Sequence, residues 1–335
     1  MRGIRIPQLE VRNMAGELPK IAFGSTDLQV TRLCQGTAFR TLERAETDTR
    51  AEAVLRHCLD VGVRFFDSAN LYGSGGSERL LGKALIDAPD DVVVCTKISP
   101  RDEDAPDEVI PFTDELLRRH LDRSRQRLQR DVIDLYLLHQ PDRTTPADAL
   151  CARMHGLVEA GLIRYWGVSN HEPQMVEALL AAAREAGTSA PAGVEDYFTI
   201  GGGALTDDGQ SRTRWYHRQM LPLVNREKLG LLAFSPMDRG DLAPQRTPDS
   251  GSPLERLCTD IDDVAAELGV GRAEVCVAWM VHQKGVTCVL GGAESPSHVD
   301  AMIAGTTLEI PSDLLAKLLE ARDRYADALE AGSSE

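Results

Sequence analysis

Residues 64–86, RFFDSANLYGSGGSERLLGKALI, set out a short apolar strand, an irregular loop and the start of a helix within 23 positions. Arg64-Phe65-Phe66 reads as a buried strand, and it ends on Asp67, a carboxylate where an apolar run would be expected to continue. Tyr72 follows on a loop. Gly73, Gly75 and Gly76 allow a tight turn, and Ser77-Glu78 opens a helix with Leu80, Leu81, Ala84 and Leu85 on its apolar side. Read alone, the segment is a helix start beside a stray carboxylate. Its other readings need partners elsewhere in the chain.

Outward from this segment the pattern is regular. Short β-rich runs are expected near 31–37, 63–67, 92–97, 133–139, 164–169, 192–197, 231–235 and 286–291. Helical patterns fall between them, including 50–61, 147–160, 172–186, 254–268, 271–284, 295–304 and a last helix from 312 to about 329. Eight strands alternating with helices predict an α/β fold, a single (β/α)8 TIM barrel with a short N-terminal hairpin around 21–27 and long loops on its C-terminal face. A doubly wound open sheet is the alternative, weakened because Cys34-Gln35-Gly36-Thr37 stands where a GxGxxG turn would follow the first strand. The expected division is an N-terminal extension over 1–19, the barrel over 20–329 and a tail over 330–335.

The net charge of −15 argues against nucleic acid or an anionic membrane as partner. The basic run from Arg118 to Arg130 fits a solvated helix face, with Leu117, Leu121 and Leu128 turned inward. Seven scattered cysteines without a CxxC pair suit a reducing compartment and core packing. No zinc site is expected. No stretch reaches the roughly 18 apolar residues of a membrane span, and the expected location is the cytoplasm. Two polar segments, Gly201–Arg214 and Asp238–Ser252, exceed the usual loop length and are expected to cover cofactor or substrate.

The strand ends carry the chemistry. Strand two ends at Asp67, strand three at Lys97, strand four at His139 and strand five at Ser169-Asn170, which places them on the barrel face where such folds keep their sites. A tyrosine hydroxyl titrates near ~10, so a catalytic tyrosine needs its anion stabilised. Lys97 can do this for Tyr72, Asp67 can keep the lysine charged and aimed, and His139 can donate to a substrate oxygen.

The segments FFDSANLYGSGGSERLLGKAL, VVVCTK, DVIDLYLLHQPD, RYWGVSN and LLAFSP resemble, in order and spacing from about residue 20 to 328, the signatures of the aldo-keto reductase superfamily. The resemblance implies NADP(H) lying along the C-terminal face and reversible hydride transfer between nicotinamide and the carbonyl or alcohol carbon of a small aldehyde, ketone or sugar. It makes Tyr72 the general acid/base, tuned by Lys97 and Asp67, with His139 orienting the carbonyl. For the cofactor it implies Ser169 and Asn170 at the carboxamide, Phe234 stacking on the ring, Ser235 to Arg239 with Gly240 at the pyrophosphate, and Gly36, Thr37 and Asp67 along the floor of the site. Trp166 and Tyr136 are assigned to core packing.

Three positions depart from the family pattern. Its carboxamide-binding glutamine falls at Gly193 or Val194, depending on register. The positions where it places Lys or Arg for a 2′-phosphate read Gly292 and His298, with Glu294 beside them, and Met302 replaces an adenine-facing asparagine. NAD(H) is therefore a serious alternative cofactor. Two other functional classes compete with the oxidoreductase: a non-catalytic, cofactor-binding regulatory barrel, and a metal-dependent hydrolase with Asp67, His139 and Glu195 as ligands. The hydrolase reading leaves Lys97 close to the cation.

Overall fold

The computed structural model describes residues 18–101, 107–203, 205–207 and 209–332. The expected N-terminal extension lies almost entirely outside the described residues, as does part of the loop after Lys97. Eight parallel strands close into a barrel: β3 (Leu33–Gly36), β4 (Phe65–Asp67), β5 (Val93–Ile98), β6 (Ile133–Leu138), β7 (Ile163–Ser169), β8 (Gly193–Tyr197), β9 (Gly230–Phe234) and β10 (Cys288–Gly291). They neighbour one another in chain order, and β10 pairs with β3 to complete the ring. The hairpin of β1 (Lys20–Ala22) and β2 (Gln29–Thr31) precedes them.

The helices are α1 (Thr49–Asp60), α2 (Gly76–Ala84), α3 (Asp114–Leu128), α4 (Ala147–Glu159), α5 (Pro173–Ala186), α6 (Arg212–Glu227), α7 (Pro253–Leu268), α8 (Arg272–Val281), α9 (Pro296–Thr307) and α10 (Ser312–Gly332). Their ends follow local chemistry. Asp48 caps α1 by accepting from Arg50 N and Ala51 N at 2.8 and 3.2 Å, and Thr113 caps α3 by accepting from Leu116 N at 3.1 Å. Helix α10 runs past the expected tail boundary, because Glu330 accepts from Ser211 N and from Arg214 at 2.8 Å each.

Strand alternation sorts the side chains into two layers. Val94, Ile98, Tyr136, Leu138, Trp166, Val168, Val194, Leu231 and Ala233 pack outward against the helices. Phe65, Cys95, Leu135, Leu137, Leu232, Cys288 and Leu290 fill the interior, with Phe23, Leu28 and Val30 of the hairpin closing its lower end. The same parity carries the last inward residue of each strand to the upper rim. Tyr136 and Trp166 are core residues, as expected.

Helix α6 corrects one expectation. Arg212–Arg214 is its first turn rather than the end of a loop, and Thr213 and Tyr216 are buried there. Pro222 inside the helix interrupts its propensity, so the apolar spacing of Tyr216, Met220, Leu223 and Val224 is not matched by a continuous helical signal. The basic face of α3 also differs in part: Arg127 Nη1 is 3.1 Å from the buried Glu78 Oε2, so it braces α2 and α3 instead of facing only solvent.

At the lower end two glycines make room for the plug. A Cβ on Gly193 would lie 2.5 Å from Gly230 O and 2.6 Å from the Phe23 ring, which packs edge-on against Phe65 at 6.0 Å between centroids. Gly193→Ala is expected to destabilise the fold by about 1–3 kcal/mol through overpacking while leaving the upper rim in place. Denaturant unfolding monitored by tryptophan fluorescence checks this, and a loss within about 0.5 kcal/mol would mean that the plug yields without strain.

Candidate active site

Lys97 ends the inward row of β5 and is completely buried. Its Nζ donates to Asp67 Oδ1 and Oδ2 at 2.5 and 2.7 Å and to Ser68 O at 2.9 Å. Tyr72 OH lies 3.5 Å from the same nitrogen. The loop after β4 is held for this contact: Ser68 N donates to Cys95 O and Asn70 N to Lys97 O, so the loop extends the sheet before turning. Asn70 Oδ1 accepts from Ser99 N at 3.3 Å, Ser99 Oγ is 3.1 Å from His139 Nδ1, and the His139 ring meets Tyr72 edge-on at 5.6 Å. The four expected catalytic residues thus form one group.

Burial governs their protonation. It pushes the Tyr72 phenol up to about 12, and the Lys97 charge pulls against this rise. It lowers His139 to about 3, with the Lys97 charge adding to the effect, so the imidazole is neutral and can act as a hydrogen-bond partner without titrating near neutral pH. Desolvation opposes the charge on Lys97, but Asp67 and then Glu195 outweigh it and hold the ammonium well above its usual range. Burial also raises Asp67, opposed by Lys97.

Glu195 is the member that the catalytic reading of the sequence missed, although the hydrolase alternative contained it. It is the second inward residue of β8, with Oε1 3.3 Å from Lys97 Nζ. Gly193 sits two positions below against the plug, and Val194 packs outward, so neither position expected for the family's glutamine reaches the rim. Parity was the available signal: once Val194 is assigned to the outer apolar layer, Glu195 must face the barrel axis. Oxygen atoms of Asp67 and Glu195 and the sulfur of Cys95 lie within 4.8 Å of one another. The Lys97 ammonium bonded to these carboxylates would repel a divalent cation there, which weighs against the hydrolase reading.

A cavity of about 590 Å³ opens above this group. Asp67, Tyr72, His139, Asn170 and Glu195 border it, as do Gly292, Glu294, His298 and Met302 around the start of α9. Gly36, Phe234, Ser235, Arg239 and Gly240 line it as expected. Thr37 does not: it is buried, and its Oγ1 bonds Asp67 O at 3.0 Å and Ser68 Oγ at 2.9 Å, which fixes the end of β4. Ser169 lies beneath the lining and accepts from Asn170 Nδ2 at 2.9 Å, while that nitrogen also donates to His139 O at 3.1 Å. Asn170 takes a left-handed backbone with φ of 59°, held by its N donating to Asp196 Oδ1 at 2.9 Å. Asp196, raised to about 6 by burial, also accepts from Tyr216 OH at 2.9 Å, a support with no motif to announce it.

The two expected covers behave differently. Arg239, Gly240, Ala243 and Gln245 border the cavity, whereas no described residue of Gly201–Arg214 lines it. The described part of that segment backs the other loop: Gly203 N donates to Asp238 Oδ2 at 3.0 Å, and Tyr197 OH bonds the same carboxylate. Glu294, which stands beside Gly292 and His298, is already engaged. It accepts from Thr41 N at 2.9 Å, from Arg40 N and from Thr41 Oγ1, and Arg40 Nη1 reaches Arg239 O, so two rims are tied across the cavity.

The aldo/keto reductase family matches residues 32–323. The chain is similar to a "Probable voltage-gated potassium channel subunit beta" of Oryza sativa subsp. japonica, 28% identical with 82% of this chain and 87% of the relative covered. It is similar to an uncharacterized oxidoreductase of Bacillus subtilis, 27% identical over 88% of this chain and 93% of that one. A "Probable aldo-keto reductase 1" of Glycine max is 22% identical, covering 91% and 89%.

Lys97→Met would leave Asp67 and Glu195 facing each other without a cation. The expected loss of stability near neutral pH is about 3–5 kcal/mol. Both carboxyls would then have folded-state pKa values raised above the unfolded ones, so the deficit should grow as pH rises above about 4 and shrink on acidification. Denaturant midpoints for both proteins at pH ~7.5 and ~5 test this; a deficit independent of pH would mean that the lysine acts by packing alone.

Proposed function

This chain belongs to the aldo/keto reductase family and is an oxidoreductase, and from that premise we propose reversible hydride transfer between a nicotinamide cofactor and the carbonyl or alcohol carbon of a small aldehyde, ketone or sugar. The observation that carries the reading is Tyr72 OH at 3.5 Å from Lys97 Nζ, with the lysine locked onto Asp67 and the phenol at the cavity wall. The proposed catalytic unit is the barrel from residue 20 through the end of α10 at Gly332, a few residues past the expected boundary of 329.

The lining suits an extended dinucleotide. Tyr72, Asn170 and Phe234 line the cavity together with Ser235, Arg239 and Gly240, and Gly292 and His298 line it beside the N-terminus of α9. A side chain on Gly292 would meet open space, so the backbone there leaves room for a ligand. When bound, the nicotinamide supplies or accepts the hydride. Tyr72 gives its phenolic proton to the substrate oxygen during reduction and takes it back during oxidation. The nearby Lys97 charge stabilises the phenolate, and neutral His139 offers a hydrogen bond that aligns the carbonyl.

NADP(H) is our working cofactor, with NAD(H) accepted as well. Arg40 and Arg239 line the cavity and offer positive charge, but Arg40 Nη1 is engaged by Arg239 O and the Arg239 guanidinium lies over the Tyr197 ring at 4.9 Å, while the positions beside α9 are Gly292 and His298 rather than a lysine or arginine. The cytoplasm is our proposed compartment, since all seven cysteines are free and buried. No helix of the described residues is long and apolar enough to cross a membrane. A regulatory role without catalysis has less support, because the complete Asp67, Tyr72, Lys97 and His139 group is assembled at an accessible cavity.

Tyr72→Phe should lower turnover by about 10²–10⁴-fold while leaving binding of the reduced cofactor near normal. Oxidation of reduced cofactor followed by absorbance against a panel of aldehydes, ketones and aldoses, with fluorescence titration for binding, is the measurement. A variant with more than about half the wild-type rate would remove Tyr72 from its role.

Discrimination between NADPH and NADH should be under roughly tenfold, or about 1.4 kcal/mol. Glu294→Gln, which removes the charge but keeps an acceptor for the tie to Thr41, should move the ratio toward NADPH. Parallel titrations of both reduced cofactors decide it, and a wild-type preference for NADPH above about a hundredfold would show that Arg40 or Arg239 reaches the phosphate.

A further inference from the structure

Glu195 shares the rim with Asp67 and Lys97 and borders the cavity, yet the proton transfer at Tyr72 leaves it without a task. Its side chain is 4% exposed. With both carboxylates ionised, its Oε2 has no hydrogen-bond donor among the described residues. The titratable groups facing it are Asp67 from β4, Lys97 and Cys95 from β5, Cys34 from β3, and Tyr72 from the loop after β4. The flanking strands present Ser169 on β7 and Leu232 and Phe234 on β9, none of them charged.

The charge count is therefore simple. Lys97 is neutralised by Asp67, to which it is bonded through both oxygens. An ionised Glu195 would be an excess buried anion, which is costly, whereas a protonated Glu195 can donate to Asp67 and satisfy its own oxygen. Burial and then the Asp67 charge favour the acid form, holding Glu195 well above the usual carboxylate range. A positive charge brought into the cavity would reverse that preference. The ring of an oxidised nicotinamide carries one, and the reduced ring does not.

Resting on the nicotinamide reading above, we infer that Glu195 is a proton store linked to the redox state of the bound cofactor, an acid beside the reduced ring and a carboxylate beside the oxidised one. During carbonyl reduction the substrate carbon gains the hydride and its oxygen gains the Tyr72 proton. Tyr72 regains a proton from Lys97 Nζ across 3.5 Å, and Lys97 regains one from Glu195 across 3.3 Å. The net change turns carbonyl into alcohol, reduced into oxidised cofactor, and Glu195 acid into carboxylate. Alcohol oxidation runs the same transfers backward.

The test is proton counting during cofactor binding, without turnover. Titration calorimetry of the full chain with NADP⁺, NADPH, NAD⁺ and NADH, in buffers of different ionisation enthalpy near neutral pH, reports protons released. Oxidised cofactors should release close to one more proton than reduced ones, and their affinity should rise with pH by up to about tenfold per unit while that of the reduced forms changes less. Glu195→Gln should bind both forms, with the difference in proton count and in pH slope abolished. Equal counts for the two redox forms in the wild-type protein would overturn the store, whether or not the variant folds. A difference that survives in Glu195→Gln would also overturn it, by assigning the proton to Asp67 or Tyr72. Failure of every nicotinamide form to bind would instead overturn the cofactor reading, and the store with it.

Discussion

The bonds from Lys97 Nζ to Asp67 and Ser68 O hold the upper rim together. An ammonium sealed inside a barrel would lose its proton or unfold the core unless carboxylates replaced its water. That need fixes the inward parity of β4, β5 and β8 together, since Asp67, Lys97 and Glu195 must meet at one height. It also sets the path of the loop after β4, because Ser68 O supplies a further acceptor and the chain then turns to bring Tyr72 alongside. The ionic group and the phenol beside it are products of the same constraint.

Around this centre lie supports that touch no reacting atom. Asp196 faces away from the axis, yet its carboxylate sets the backbone of Asn170 and ties it to Tyr216 of α6. Thr37 bonds Asp67 O and Ser68 Oγ and so links β3 to the end of β4. Asp238, raised to about 6 by burial, gathers Gly203 and Tyr197 beneath the segment that lines the cavity. Each fixes backbone that carries a lining residue, so rigidity at the rim comes from bonds buried behind it.

The barrel and the cluster of Asp67, Tyr72, Lys97 and His139 were legible because period-two strands and their terminal polar residues survive in a single sequence. Strand ends fell within a residue or two of Asp67, Lys97, His139 and Ser169. Glu195 was harder: strand β8 holds two adjacent acids, and only the packing of Val194 decides which of Glu195 and Asp196 faces inward. Helix α6 was obscured by the glycines before it and by Pro222 within it. Glu294 was visible as a charge in the right place, but its engagement by Arg40 and Thr41 joins segments about 250 positions apart in sequence, which no local pattern encodes. The division of labour between the two long loops was likewise hidden, because it depends on which one folds over the other.

The plug at the lower end has a consequence for traffic. Phe23, Leu28 and Val30 are buried there among Phe65, Cys34 and Cys288, so the charged layer stands above an apolar floor. The described barrel is a flask that opens above through the cavity. Whatever fills the cavity covers the charged layer from above while the apolar plug covers it from below, so a bound molecule slows proton exchange between that layer and solvent.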